Sequence, residues 1–105
     1  MFPILAAAVL TMTLNSRAGF PPFPLVVTIR TAGTGEICVV IEGPESHLSC
    51  WVKQPSNSAI KLRGDPPVKR IPFILGVPGE YSVRVEHQRK IQAEMTVLVL
   101  GESLP

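Results

Sequence analysis

The stretch from residue 79 to residue 100 alternates apolar and polar side chains, and this period of two constrains the fold more than any other feature. Tyr81, Val83 and Val85 fall on one parity, and the residues between them are polar. Strict alternation of this kind predicts a half-buried strand with one face in water. After a charged turn at His87–Lys90 the pattern resumes over Ile91–Leu100, with Ile91 on the apolar parity. We therefore expect two antiparallel strands joined by this turn.

Five earlier stretches also have the residue content of strands, and residues that favour turns separate them. They are Leu25–Thr31, Glu36–Glu42, Leu48–Gln54, Ala59–Arg63 and Val68–Leu75. The continuous apolar run in the second of these predicts a strand covered on both faces. Pro72 marks the last as an edge strand, because proline cannot donate to a sheet ladder. No helical period follows residue 18. Seven strands of this kind predict an all-β, antiparallel two-sheet sandwich over residues 25–100, followed by a tail at 101–105.

Size and charge limit the possible function. The chain has 105 residues, 46% of them hydrophobic and 17% charged, with a formal net charge of +2. This composition allows one globular domain and excludes an intrinsically disordered chain. The small basic excess is far below that of a dedicated nucleic-acid-binding protein, so no nucleic-acid partner is expected.

The amino terminus has the character of a secretory signal peptide. Residues 2–14 are uncharged and mostly apolar, and they are too few to cross a bilayer as a helix. Ser16 and Ala18 supply the small residues that signal peptidase requires, which places cleavage after Ala18. The prediction is a secreted protein without residues 1–18 and without membrane insertion afterwards. The alternative is that this segment stays attached as a buried helix or strand.

A proline-rich stretch, residues 19–24, follows the proposed cleavage point and is expected to form an extended arm. It carries two aromatic rings, Phe20 and Phe23, which either pack on the sandwich or contact a partner.

The chain contains two cysteines, Cys38 and Cys50. An even number of cysteines in a secreted chain predicts a disulfide, and a turn near Pro44 would bring these two opposite each other. The bridge would stabilise the domain by about 3 kcal/mol in the loop-entropy account. A zinc site that also used His47 lacks an evident fourth ligand. We therefore predict no metal and no cofactor.

Cys38 followed 13 positions later by Trp51 resembles the cysteine and tryptophan on the second and third strands of immunoglobulin-like domains. Gly79-Glu80-Tyr81-Ser82-Val83 is similar to the penultimate-strand motif of that family and of filamin-type and macroglobulin-type sandwiches. The resemblance implies an immunoglobulin-like sandwich with Trp51 in the core and the Tyr81 hydroxyl bonded to the backbone just upstream. Val83 stands where the second cysteine of the family would be. A bridge from Cys38 to Cys50 would therefore join the second and third strands.

Residues that could carry catalysis are sparse. The two histidines, His47 and His87, fall in predicted turns, and the single aspartate, Asp65, lies in a proline-rich turn. No arrangement suggests a nucleophile held by a base. We therefore predict a non-enzymatic binding module that recognises an extracellular protein or cell-surface receptor through end loops or a sheet edge. The candidate contact residues are Phe20, Phe23, Pro44, His47, Asn57, Ile74, His87, Arg89 and Lys90.

Two other functions are open on the sequence. A small secreted effector, such as a protease inhibitor or toxin-like factor, would insert the rigid loop at 64–68 into a target. A structural domain of a longer receptor or macroglobulin-type protein is suggested by the abrupt end at Leu104-Pro105. The basic pairs Lys69-Arg70 and Arg89-Lys90 are either solvated strand and turn charges or a patch for anionic glycans.

Overall fold

A computed structural model describes residues 10–31, 33–54 and 68–101 of the chain. These ranges form eight strands and no helix: β1 (Leu10–Leu14), β2 (Ala18–Gly19), β3 (Phe23–Thr31), β4 (Gly35–Glu42), β5 (His47–Lys53), β6 (Val68–Leu75), β7 (Gly79–His87) and β8 (Lys90–Val99). The all-β prediction is confirmed. The predicted strand Ala59–Arg63 lies outside the described ranges. Within those ranges, no helix of a length and apolarity that would span a membrane is found.

The strands form two sheets. A three-stranded sheet has the order β1-β3-β6, and a five-stranded sheet has the order β2-β8-β7-β4-β5; we call them the small sheet and the large sheet. Every strand pair is antiparallel except β2 with β8, which is parallel. The two-layer prediction is confirmed, and among the described strands β6 lies at an edge, as Pro72 indicated.

The core lies between the two sheets and is built from alternate residues of each strand. On β7 the side chains of Tyr81, Val83 and Val85 are fully buried, as the alternation predicted. On β4, Ile37, Val39 and Ile41 are fully buried while the residues between them stay partly or fully exposed. The expectation that this strand is covered on both faces is therefore wrong. Its long apolar run comes from Cys38 and Val40, which point away from the core.

Strand β8 departs from simple alternation near its start. A register shift between Val85 and Glu86 places Ile91 opposite Glu86, whereas Ala93 stays opposite Val85. The extra residue turns Ile91 to the outer face, where 56% of its surface is exposed. The sequence pattern put Ile91 on the buried parity, and the bulge overturns that assignment.

The amino-terminal segment takes part in the fold. Strand β1 pairs with β3 over five residues, and Met12 is only 5% exposed in the core. Strand β2 adds to β8, with the Leu98 N–H donating to the Arg17 carbonyl oxygen at 2.9 Å. In this structure residues 10–14 and 18–19 form strands of the two sheets, which is the arrangement expected if the segment stays attached. Cleavage after Ala18 stays a prediction.

Candidate functional site

The predicted contact residues lie at two opposite ends of the sandwich. Strand β4 is paired with His87 near its start and with Val83 near its end. His87, Arg89 and Lys90 therefore lie at one end, whereas Pro44, His47 and Ile74 lie at the other. They do not form one site.

The three remaining candidates are Phe20, Phe23 and Asn57. Phe20 is 57% exposed, but Phe23 is the first residue of β3 and is 5% exposed in the core, so its ring is not available to a partner. Asn57 and most of the loop at 64–68 fall outside the described residues.

At the end that carries Pro44, the carboxylate of Glu45 joins two loops. Glu45 Oε2 accepts hydrogen bonds from the N–H of Gly76 at 2.6 Å and of Val77 at 3.0 Å. Glu45 Oε1 lies 3.2 Å from His47 Nε2. The two backbone hydrogen bonds are the main reason that the pKa of Glu45 is held below its usual value. This carboxylate ties the β4–β5 turn to the β6–β7 turn.

Tyr81 contacts the same carboxylate from the core of the sandwich. Its side chain is fully buried, and its hydroxyl donates to the carbonyl oxygen of Val77 at 2.5 Å and lies 3.2 Å from Glu45 Oε2. The bond from Tyr81 back to the upstream backbone is the one that the sequence resemblance implied. Burial, and then the nearby negative charge of Glu45, raise the pKa of Tyr81.

The disulfide between Cys38 and Cys50 is present, as predicted, and it joins β4 to β5. It lies on the outer face of the large sheet, because Cys38 points away from the core and Cys50 is exposed. The bridge therefore joins the strand that carries Cys38 to the strand that carries Trp51.

The cysteine pair also bears on metal binding. A carboxylate oxygen of Glu36 and the two sulfur atoms lie within 4.8 Å of one another. Sulfur in a disulfide carries no thiolate charge, so the oxidised pair does not suit a metal ion. His47, which the zinc alternative required, instead contacts Glu45 and lies with its ring centroid 5.7 Å from that of Phe73.

The backbone of β5 presents unused hydrogen-bonding groups along the edge of the large sheet. Cys38 and Cys50 are directly opposite, with Cα atoms 4.0 Å apart. A separation below about 5 Å marks a non-hydrogen-bonded pair in an antiparallel ladder. The N–H and C=O of Cys50 therefore point away from β4, and the same holds for Leu48 and Val52, two residues to either side. Among the described strands, none pairs with this side of β5.

The same three residues present an apolar outer face. Leu48 is 67% exposed and Val52 is 60% exposed, with the disulfide between them. No charged residue lies between His47 and Lys53. We call this segment, Leu48–Val52, the β5 edge.

The other three edge strands carry features that discourage pairing with another chain. Strand β6 contains Pro72 and the basic residues Lys69 and Arg70, and β2 is only two residues long. Strand β1 is short, and its outward residues are threonines. Of the four edges formed by the described strands, β5 is thus the one that combines length, an uncharged centre and exposed apolar side chains.

The inner face of β5 borders a small cavity between the sheets. Its volume is about 200 Å³, and Ile29, Thr31, Trp51, Lys53, Val68 and Lys69 line it. Trp51 packs against the core while staying half-buried, and the Lys69 ammonium lies 5.2 Å from the centre of its ring. Small-molecule sites usually have volumes of about 300–1,000 Å³, so the volume of this cavity is below that of a typical ligand pocket.

Sequence reasoning missed both Glu45 and the β5 edge. It included Ile74 on β6 among the candidate contact residues, although the proline and basic residues of that strand discourage pairing with another chain. The absence of any charge between His47 and Lys53 was the available signal for β5. No local signal identifies the partners of Glu45, which lie 31 and 32 residues further along the chain.

Comparison with known proteins gives information about the fold of this chain and none about its function. No family model matches the chain, and no curated protein matches it. A crystal structure of the β-glucosidase from Listeria innocua in complex with glucose is similar, with a TM-score of 0.50 and 15% sequence identity over 92% of this chain. A second crystal structure of that enzyme matches with a TM-score of 0.49 and the same identity. This chain spans 17% of the length of the enzyme. The likeness shows that the chain has the fold of an all-β, two-sheet sandwich.

Proposed function

We propose that this chain is a non-enzymatic binding module that captures an extended segment of another protein by adding it as a sixth strand to the large sheet, beside β5. The observation that carries this proposal is the β5 edge. Among the described strands none pairs with this border, and Leu48 and Val52 are exposed along it. Strand addition uses main-chain hydrogen bonds for affinity and alternate side chains for specificity.

The β5 edge also indicates the chemistry of the partner. Side chains of an added strand that point outward would lie beside Leu48, Cys50 and Val52, so they should be apolar. Those that point inward would lie beside Ser49 and Trp51. The partner is therefore an extended segment with an apolar residue at every second position.

We further propose that the sandwich is of the immunoglobulin-like type and that the protein works outside the cell. The order β1-β3-β6 matches the first, second and fifth strands of such a domain, and β4, β7 and β8 match the three strands of its other sheet. In this assignment Cys38 lies on the third strand, one strand later than the sequence resemblance implied. The bond from the Tyr81 hydroxyl to Val77 supports the same assignment. The disulfide supports an oxidising compartment.

A library of linear peptides displayed on phage and selected against the full chain tests strand capture. We expect selected peptides to alternate apolar residues, and their binding to perturb the backbone amide resonances of Leu48, Cys50 and Val52. Val52→Pro removes an edge N–H without removing a hydrogen bond to β4, so it should weaken peptide binding about tenfold or more.

The matched control is Ile74→Lys on β6, since Ile74 is 64% exposed on a different edge. This variant should bind the selected peptides as the unmodified chain does. Equal losses in both variants, or perturbations confined to residues away from β5, would overturn the proposal.

A further inference from the structure

The outer face of the large sheet concentrates negative charge. Glutamates point outward from three of its strands, alternating with the core residues. They are Glu36 and Glu42 on β4, Glu80 and Glu86 on β7, and Glu94 on β8. Arg84 lies among them and is held by Glu42 and Glu86, each at 2.9 Å. Next to this acidic region the face becomes apolar, where Val40 lies opposite Leu48.

The outer face of the small sheet carries the opposite charge. Its three strands contain no aspartate or glutamate, and Arg30 and Arg70 are exposed on its outer side. The two arginines are diagonal neighbours, because Arg30 pairs with Val68 and Thr28 pairs with Arg70. Further along the same face the side chains become apolar, where Pro72 lies opposite Val26 and Ile74 lies opposite Pro24.

The two faces match in spacing as well as in charge. Glu36 and Val40 are four residues apart on β4, and Arg70 and Ile74 are four residues apart on β6. With a rise of roughly 3.3 Å per residue, each charged group lies about 13 Å from its apolar neighbour. A face-to-face contact could therefore place arginine on glutamate and Ile74 on Leu48 at the same time.

We propose that the outer face of the small sheet of one copy binds the outer face of the large sheet of a second copy. The contact is heterologous, because two different surfaces meet, and the pair of copies still has one unused face of each kind. Association therefore continues into short stacks and does not stop at a symmetric dimer. This inference goes beyond the proposed capture of a strand, which depends on the backbone groups of the β5 edge; the two contacts share the side chain of Leu48.

Salt dependence gives the first test, by sedimentation of the full chain over a range of concentrations. In about 30 mM salt the mean mass should rise with concentration, and about 500 mM salt should return the chain towards monomer, because exposed charges are then screened. A mean mass of one chain at every concentration would overturn the proposal.

Charge reversal gives a sharper test. Arg70→Glu damages the basic face and leaves the acidic face intact, whereas Glu36→Arg does the reverse. Each variant alone should associate at least about tenfold more weakly than the unmodified chain. An equimolar mixture should associate again, because the intact acidic face of one variant meets the intact basic face of the other, and the two reversed positions also carry opposite charges.

Arg89→Glu makes the same charge change as Arg70→Glu in the β7–β8 turn, outside both faces, and should leave association unchanged. Circular dichroism and thermal unfolding check that the variants are folded, which is expected because Glu36 and Arg70 are exposed. A mixture that stays monomeric would contradict a heterologous contact. Arg70→Glu should still bind the selected peptides as the unmodified chain does, because Arg70 lies outside the β5 edge, so failure of strand capture and failure of stacking are distinguishable.

Discussion

The N–H of Gly76 donates to Glu45 Oε2 at 2.6 Å, which joins two turns that are 31 residues apart in the chain. The N–H of Val77 also donates to this carboxylate oxygen. The buried Tyr81 hydroxyl donates to the Val77 carbonyl oxygen and lies close to Glu45 Oε2. One carboxylate therefore sets the relative position of the β4–β5 turn, where the β5 edge begins, and of the β6–β7 turn. Stability at this end of the sandwich should depend on the charge of that carboxylate.

Lowering the pH should destabilise the domain through Glu45. Its pKa is depressed in the folded chain, so its contribution is complete above the unfolded value of about 4.5 and is lost as the pH falls from there through the folded pKa. Urea unfolding between pH 7 and pH 3 measures this loss. Glu45→Gln should be less stable at pH 7 by about 1 kcal/mol and should show a smaller decrease at low pH. Parallel curves for the two proteins would contradict this account.

Tyr81→Phe should lower the free energy of unfolding by about 1 kcal/mol, because the ring stays buried while the carbonyl oxygen of Val77 loses its donor. Urea denaturation measures the effect. Ser82→Ala is a suitable control, since it removes a hydroxyl whose bond to Glu94 is exposed. If both variants lose the same stability, the bond to Val77 has no special importance.

Replacing Cys38 and Cys50 together by serine should lower stability by about 3 kcal/mol while the strands still form. The bridge closes a loop with a sequence separation of 12, and both side chains lie on the outer face, where serine is tolerated. A reducing agent should destabilise the unmodified chain by a similar amount and leave the double variant unchanged. Destabilisation of the double variant by the reductant would point to another cause.

Met12→Ala should destabilise the full chain by about 2 kcal/mol, because Met12 is 5% exposed and fills the core beside β3. The neighbouring Thr11 is exposed, and Thr11→Ala should cost less than about 0.5 kcal/mol. Intact mass of the protein from a secreting host shows whether residues 1–18 remain. If they are removed, neither substitution is present in the mature protein, and strand β1 is not part of its fold.

Sequence patterning predicted the features that depend on near neighbours. The alternation around Tyr81, Val83 and Val85 identified β7 and its buried face, since successive side chains of a strand point to opposite sides. The turn after Glu42 placed Cys38 opposite Cys50, and the two-layer all-β class followed from the number and spacing of strands. For the site, the even number of cysteines predicted the disulfide, and the resemblance to immunoglobulin-like domains implied the bond of Tyr81.

Only the tertiary structure decided which strands are neighbours and which faces are covered. The bulge that turns Ile91 outward, the outward direction of Cys38 and the participation of residues 10–14 as a strand all depend on pairing between distant segments. The β5 edge and the charge difference between the two outer faces are consequences of the same pairing. The alternation within a strand specifies that one side is buried, but the free energy that selects its neighbours comes from contacts distributed over the whole sandwich.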